Sequence, residues 1–252
     1  MTKTSTGRIT GTAIGRTLLQ GGTVIALIVL IGFFFAMRPD IFLTFVNVKN
    51  IMYQVSILAI IAGAQTIVMV LGDFDLSVGA TSTLAGAVAG ALMIGGTPVP
   101  VAIAAALVVG LIVGLINGVL IAYLNLSAFV ATLATMTSVI GVAFIVTEGT
   151  TLFNFPAEFN ELGQGKIFNV PLPVYFAIVV SVLIWALLKF TTIGRSWHAI
   201  GGNVEVSRLS GVKVRRARLM AFTIAGVVAA FGGVLRSEEH TSELQSLRHI
   251  SY

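Results

Sequence analysis

Residues 99–123 read VPVAIAAALVVGLIVGLINGVLIAY, a run without a single charged side chain. A helix of about 20 apolar residues crosses the hydrocarbon core of a bilayer, so this run predicts a membrane-spanning helix. The rest of the chain has the same character, with 56% hydrophobic and 10% charged residues. An ordinary soluble domain carries about 25% charged residues. The composition therefore indicates an integral membrane protein.

Further apolar runs on both sides predict six more spans, at 17–37, 52–71, 77–95, 128–147, 171–190 and 219–235. Only a Gly-Gly-Thr-Pro segment at 95–98 separates the third span from the fourth, which predicts a tight hairpin. The first run is too long for the h-region of a signal peptide, and no clear small-residue cleavage site follows it. The predicted fold is all-α: a polytopic helical membrane protein with about seven transmembrane helices.

The basic residues predict how these helices cross the membrane. With the N-terminus in the cytoplasm, ten of the 15 Lys and Arg fall on the cytoplasmic side and three on the outer side. Seven of the ten lie in one polar stretch, 189–218, which reads KFTTIGRSWHAIGGNVEVSRLSGVKVRRAR. Cytoplasmic loops of membrane proteins carry an excess of Lys and Arg. Orientation thus explains the net charge of +5 better than a nucleic-acid partner does.

Glycines recur at helical spacing in two of the predicted spans. Gly110, Gly114 and Gly118 share one face of the fourth span, and Gly86 and Gly90 repeat the spacing in the third. Small residues let helix backbones approach closely inside a bilayer, where apolar burial cannot drive association. The pattern predicts a tightly packed bundle, and general packing is favoured over a specific dimer face.

The segment LGDFDLSVG at 71–79 interrupts the apolar pattern. Gly72 can end the second span, and Asp75 or Ser77 can cap the next helix. A second interpretation is a broken-helix element beside a transport path. A proton relay through Asp73 and Asp75 is a weaker third, because no other acid or His falls within a span.

Three more polar residues fall at or inside the spans. Asn117 needs a partner across a helix interface, either another helix or a substrate. Thr132 and Thr135 share a helix face, where their hydroxyls can bond the preceding turn or line a polar path. The candidate substrate-pathway residues are Asp75, Ser77, Asn117, Thr132 and Thr135.

Three blocks of sequence resemble the membrane permease subunits of ABC importers for monosaccharides, the ribose/xylose/galactoside-type group. GDFDLSVG at 72–79 is similar to the family's GGIDLSVG, and FVATLATM at 129–136 is similar to FIxTLGTM. TIGRSWHAIGGNVEVSRLSGV at 192–212 is similar to TxxGRxxxAIGGNxxAARLSGI. The chain departs from these patterns at Asp73, where the family usually has Gly, at Ser127-Ala128 in place of a Pro pair, and at Val206-Ser207 in place of two alanines.

The resemblance implies that the loop at 191–218 carries a cytoplasmic coupling helix that docks on an ATPase. Asn203 can cap such a helix, Glu205 and Arg208 can pair on it, and Gly211 can end it. The ATPase-coupling residues it implies are Gly194, Arg195, Ala199, Gly201, Gly202, Asn203, Glu205, Arg208, Ser210 and Gly211. Without the resemblance, a solvated loop that only sets topology remains the alternative.

The resemblance also implies partners and a compartment. They are a cytoplasmic ABC ATPase subunit, an extracytoplasmic sugar-binding protein, a second permease subunit in a homodimer, and the lipid of a bacterial plasma (inner) membrane. The chain has no G-x-x-x-x-G-K-[ST] sequence, so ATP is expected on the partner and no cofactor on this chain. With no cysteines and no catalytic motif, we expect a transport subunit without enzyme activity or a metal site. The alternatives are an ion-coupled secondary transporter and an inactive truncated fragment.

The last residues differ from everything before them. Residues 236–252 read RSEEHTSELQSLRHISY and follow the middle of a predicted span. RSEEHTSELQS resembles the conceptual translation of a common sequencing-library adapter. The predicted organisation is therefore a cytoplasmic segment at 1–16, a truncated permease domain at 17–235 and a non-native tail at 236–252.

Overall fold

The computed structural model of the chain describes residues 10–153, 155–159 and 165–236. The start of the predicted cytoplasmic segment, residues 1–9, lies outside these residues, and so does the predicted non-native tail from 237 onward. The chain divides into two compact units, Met1–Ile51 and Met52–Tyr252. The boundary falls inside a helix, and the permease domain predicted at 17–235 stays a prediction.

The first unit contains helix α1 (Thr10–Met37), the short helix α2 (Pro39–Phe42) and the start of helix α3 (Phe45–Val70). Pro39 occupies the first position of α2, where its missing N–H leaves no helical hydrogen bond unmade. The rings of Phe34 and Phe42 stack with their centroids 5.8 Å apart, which ties α2 back onto α1.

The second unit holds the remaining elements. They are the rest of α3, α4 (Val78–Ile94), α5 (Val99–Ala122), α6 (Ala128–Val146), strands β1 (Lys166–Ile167) and β2 (Val170–Pro171), α7 (Leu172–Phe190), α8 (Thr192–Gly202), α9 (Val204–Leu209) and α10 (Val214–Arg236). The two strands pair antiparallel as a small hairpin. Each of the seven predicted spans lies on one long helix. The spans predicted from 17 and from 52 begin too late, because α1 starts at Thr10 and α3 at Phe45.

Five of these helices are long and apolar enough to cross a membrane: α3, α5, α6, α7 and α10. Two shorter apolar helical stretches, Val24–Met37 in α1 and Val78–Ile94 in α4, accompany them. Large apolar side chains cover much of the outside, among them Leu58, Phe144 and Leu183, each more than 60% exposed. A surface of this kind is stable against lipid rather than water. The predicted all-α, multi-pass membrane architecture is confirmed.

Helix α10 packs at the centre of the second unit against the glycine face of α5. A Cβ on Gly110 would overlap the carbonyl oxygen of Gly226, and one on Gly114 would overlap that of Phe222. The two backbones are therefore in direct contact, as the G-x-x-x-G spacing permits. In this chain the glycines of α5 serve packing between its own helices.

The connection between α4 and α5 is the tight hairpin that the sequence predicted. Gly96 has φ +87°, a backbone conformation that glycine adopts without steric penalty. Further along, residues 155–159 pack against these helices, where Phe155 and Phe159 are buried in one cluster with Ala89 and Ala230.

Candidate functional site

The loop between α3 and α4, residues 71–77, is held by a buried polar network. Gly72 turns the chain with φ +81°. The Oδ1 atom of Asp75 then accepts hydrogen bonds from the backbone N–H of Ser77 at 2.8 Å and from its hydroxyl at 2.6 Å. The Nδ2 atom of Asn117 donates to the Oγ of Ser77 at 2.7 Å, which joins the loop to α5. Ser77 is the residue preceding α4, so the network sets where that helix begins.

The same loop is joined to α6 through Thr132. Its Oγ1 accepts from the backbone N–H of Leu76 at 3.1 Å and lies 2.7 Å from the carbonyl of Ala128, to which it donates. Thr135 donates to the carbonyl of Ala131 at 3.0 Å, within its own helix. Both threonines thus bond the preceding turn, and Thr132 also carries the contact between elements.

Four of the five predicted pathway residues come together in this network, and all five are buried. Asp75, Ser77, Asn117 and Thr132 are each 6% exposed or less, and Thr135 is 8% exposed. Burial raises the pKa of the Asp75 carboxyl above its usual range, and the hydrogen bonds from Ser77 oppose that shift. The geometry supports the helix-to-helix contact, and Asp75 accepts a backbone N–H just before α4, whereas the hydroxyl of Ser77 makes no cap hydrogen bond. A role in the substrate path stays a prediction.

A second link joins the loop to the start of α10. The Nε atom of Arg218 lies 3.0 Å from Oδ2 of Asp73, and its NH2 group donates to Oδ1 at 3.4 Å. The two side chains are 24% and 13% exposed. Burial raises the pKa of Asp73, and the charge of Arg218 opposes that shift. Asp73 lies at the position where the resemblance expects glycine. A glycine has no side chain to pair with Arg218, so the ion pair depends on this departure from the family pattern.

Helix α8 is anchored on the ends of three long helices. Thr191 caps it by accepting from the N–H of Gly194 at 3.0 Å. Trp197 is fully buried, and its Nε1 donates to the carbonyl of Ala217 at 2.9 Å. A Cβ on Gly201 would overlap the carbonyl oxygen of Val70, so α8 lies directly on the end of α3.

Helix α9 forms as the sequence predicted. Asn203 caps it by accepting from the N–H of Val206 at 3.0 Å. Arg208 and Glu205 pair on its surface at 2.7 Å, and Gly211 follows its end with φ +85°. The helix faces outward, with Val206 57% and Leu209 79% exposed.

The predicted coupling residues divide into one buried and nine exposed positions. Gly194 is buried, because a side chain there would overlap the backbone at the end of α7. The exposed positions are Arg195, Ala199, Gly201, Gly202, Asn203, Glu205, Arg208, Ser210 and Gly211. Where the sequence predicted one short helix capped by Asn203, the structure has two, α8 and α9. Gly201 and Gly202 lie in the last turn of α8, because the apolar side chains of Trp197 and Ile200 give that segment a buried face.

Two contributions to this site were missing from the sequence-based prediction. Trp197 and Ile200, three residues apart, were a readable sign of an amphipathic helix. The pairing of Asp73 with Arg218 had no such sign, because 145 residues separate them. These contacts also place loop 71–77 and segment 191–218 on the same side of the membrane, as the predicted orientation requires.

A cavity of about 170 Å³ lies farther along α4, on the side of the α6–β1 connection. Its lining includes Ser82, Thr83, Gly86, Leu152, Phe155 and Gly233. The hydroxyl of Ser82 is buried and lacks a hydrogen-bond partner among the described residues. Within the same residues, no three acidic or histidine side chains form a metal site.

Known proteins resemble this chain over most of its length. The ribose import permease protein RbsC of Haemophilus influenzae is 35% identical over 243 residues, covering 95% of this chain and 75% of the relative. RbsC of Bacillus subtilis is 36% identical, with 88% and 70% coverage. The L-arabinose transport system permease protein AraH of Escherichia coli (strain K12) is 36% identical, with 84% and 64% coverage.

A family model agrees with these relatives. The model described as "Branched-chain amino acid transport system / permease component" matches residues 47–242. No solved structure gave a significant match. The match takes in the polar network, α8, α9 and α10, and it confirms the expectation of a transport component rather than an enzyme. The chain therefore belongs to the branched-chain amino acid transport system permease component family.

Proposed function

We propose that this chain is the membrane-spanning permease subunit of an ATP-driven ABC importer. Its cargo is a monosaccharide, ribose-like in size and polarity, delivered by an extracytoplasmic binding protein. The family's name mentions branched-chain amino acids, whereas the relatives are named for ribose, L-arabinose and D-allose. Since those relatives match most of the chain, they favour a sugar.

The observation that carries this proposal is the exposed helix α9 on a rigid base. Val206 and Leu209 present apolar surface outside the long helices, and a charged pair, Glu205 and Arg208, lies beside them. The base, α8, is fixed by Trp197 and Gly201. An exposed apolar helix face rimmed by charge is typical of a protein-docking surface. In our proposal α9 docks on the ATPase subunit, which binds the ATP.

The contacts around α8 can transmit a movement caused by ATPase docking to the long helices. Gly201 lies against the end of α3, and Arg218 joins the start of α10 to Asp73. From that loop, Asp75 and Ser77 lead to Asn117 on α5 and Leu76 to Thr132 on α6. A movement of α8 imposed by the ATPase would reach α3, α5, α6 and α10 through these bonds. Alternating access requires a mechanical connection of this kind between the ATPase and the membrane helices.

The proposal includes an orientation and an assembly. The N-terminus and segment 191–218 face the cytoplasm of a bacterial cell, since most Lys and Arg lie on that side. Two permease subunits, as a homodimer, enclose the sugar path. The binding protein docks on the outer side, where the β1–β2 hairpin presents Phe168 at 93% exposure.

Radiolabelled sugar uptake tests the proposal. The permease gene is deleted in the organism that encodes the chain and restored on a plasmid, and uptake of ribose, L-arabinose and D-allose is measured. We expect uptake of one sugar to disappear, to return on restoration and to persist when a protonophore collapses the proton gradient. Uptake that requires the proton gradient but not the ATPase would instead establish ion-coupled transport through Asp73 and Asp75.

A further inference from the structure

A basic groove lies where α5 and α10 end on the side of segment 191–218. It is a concave surface of about 520 Å³ lined by Tyr123, Arg208, Lys213, Val214, Arg215 and Arg216. Four of these six side chains carry a positive charge. Tyr123 is the residue that follows the last turn of α5, and Val214 begins α10.

Most of the charge in this groove is not neutralised by the protein. Arg208 pairs with Glu205 at 2.7 Å. Lys213, Arg215 and Arg216 are exposed and make no side-chain hydrogen bond or ion pair with any residue that the structure describes. The two arginines also lie in the first turn of α10, where the helix dipole disfavours positive charge. An anion bound in the groove would neutralise the unpaired basic side chains and would interact favourably with the helix dipole.

The position of the groove along the helices identifies the anion. The groove is bordered by the ends of α5 and α10, which are both long and apolar enough to cross a membrane. The end of a spanning helix lies at the level of the lipid headgroups. Next to Tyr123, Leu124 is 61% and Leu126 is 45% exposed, which is the surface that acyl chains cover. A tyrosine at a helix end is typical of the membrane interface. Basic pockets between such helices bind the headgroups of anionic lipids.

We propose that the groove binds the phosphate of an anionic phospholipid. Lys213, Arg215 and Arg216 contact the phosphate oxygens, the hydroxyl of Tyr123 reaches the headgroup, and the acyl chains lie along the exposed apolar side chains of α5. A docked ATPase would meet the apolar face of α9, where Val206 and Leu209 are exposed. The groove itself opens at the level where α5 and α10 leave the bilayer, which favours lipid over a protein surface.

The test measures lipid affinity on the full chain purified in detergent. Dioleoylphosphatidylglycerol or dioleoylphosphatidylcholine is titrated in, and bound lipid is counted by native mass spectrometry. We expect selective binding of the anionic lipid to the unmodified chain. Each basic residue near a membrane surface contributes roughly fivefold in affinity, so Arg215→Gln/Arg216→Gln should weaken binding by roughly 25-fold.

A control variant removes the same number of positive charges as Arg215→Gln/Arg216→Gln. Lys189→Gln/Arg195→Gln removes two exposed basic residues of the same stretch that lie outside the groove, and it should keep the affinity of the unmodified chain. Equal affinities in the two double variants would overturn the proposal. So would displacement of the lipid by millimolar inorganic phosphate, since the groove would then be a free-phosphate site. If Arg215→Gln/Arg216→Gln left lipid affinity unchanged but abolished ATPase binding, the groove would be assigned to a protein-docking surface instead.

Discussion

Gly201 is the residue at which α8 touches the end of α3. A side chain there would overlap the carbonyl oxygen of Val70, whereas Gly202, its neighbour in the same turn, has no atom within 4 Å of a Cβ position. We expect Gly201→Ala to displace α8 and to cost about 1–3 kcal/mol of stability, typical of overpacking. Gly202→Ala, as the matched control, should be neutral or slightly stabilising.

The measurement for this pair is thermal unfolding of the purified chain together with stimulation of ATP hydrolysis in the assembled transporter. Gly201→Ala should lower both the unfolding temperature and the stimulation of ATP hydrolysis. Gly202→Ala should lower neither of them. A Gly201→Ala variant with unchanged stimulation would contradict a role for this contact in coupling. The bulkier Gly201→Arg should uncouple ATP hydrolysis from transport more completely.

Substitution of Asp75 distinguishes a structural role of its carboxylate from a role in ion coupling. Its Oδ1 accepts two hydrogen bonds from Ser77, and the oxygen of an asparagine can accept the same two. We expect Asp75→Asn to preserve uptake and to change stability by less than about 1 kcal/mol, whereas Asp75→Leu leaves two donors unpaired and costs about 1–3 kcal/mol. Loss of uptake in a well-folded Asp75→Asn variant would favour ion coupling.

The pH dependence of stability adds a second readout for Asp75. Burial raises the pKa of this carboxyl, so the folded state holds the proton more tightly than the unfolded state does. Its contribution to stability is therefore present at low pH and is lost as the pH rises through the raised value. Asp75→Asn cannot ionise, so in thermal unfolding it should lose less stability than the unmodified chain across that range.

At the residue scale, the sequence identified the polar side chains but not all of their partners. Asp75 and Ser77 are two residues apart, so the hydrogen bond from the Ser77 N–H to the Asp75 carboxyl could be predicted from local spacing. Asn117 and Thr132 were recognisable as polar groups that needed partners. Their convergence on the same loop depends on how α4, α5 and α6 pack, which no local pattern states.

At the scale of elements, the ion pair between Asp73 and Arg218 joins a loop to a helix. Both side chains are largely buried, so removing one partner leaves a charge with poor solvation. We expect Asp73→Asn and Arg218→Gln each to cost about 1–3 kcal/mol. The double variant should cost less than the sum of the two, because it leaves neither charge behind. Thermal unfolding of all four proteins measures the coupling, and strict additivity would show that the pair contributes nothing.

Helix α9 offers a direct test of docking. Val206 and Leu209 are exposed, so Val206→Glu/Leu209→Glu should leave the unfolding temperature of the isolated chain nearly unchanged. Binding of the ATPase, measured by co-purification of the tagged permease with its ATPase subunit, should fall at least tenfold. The control is Phe168→Glu, an even more exposed apolar position on the hairpin, which should bind the ATPase normally. Equal binding by both variants would remove α9 from the interface.

Helix α8 shows why element boundaries in segment 191–218 were harder to predict than the spans. A spanning helix is set by apolar residues alone, and the five helices that are long enough to cross a membrane were each located from hydropathy. In α8 the pair Gly201-Gly202 resembles a turn, yet both glycines are helical and follow the buried side chains of Trp197 and Ile200. A buried face contributed by other helices therefore outweighs the weak helix propensity of glycine.

For the whole molecule, the polar loops divide into two sets, one at each end of the helices. Loop 71–77 and segment 191–218 contact each other through Gly201 and Arg218. The residues after α6 follow a helix that starts beside loop 71–77 and so lie at the opposite end. This division follows from the number of crossings, and the excess of Lys and Arg is the basis on which we propose that the first set faces the cytoplasm.

The absence of cysteine from the sequence makes the orientation directly testable. Ser210→Cys introduces one thiol in segment 191–218, and Thr150→Cys introduces one after α6; both positions are exposed. With a membrane-impermeant maleimide, Thr150→Cys should react in intact cells. Ser210→Cys should react only after the membrane is permeabilised, because the proposed orientation places it in the cytoplasm. The reverse pattern would invert the orientation and place α9 on the side without ATP, which would also overturn its proposed role as the ATPase-docking helix.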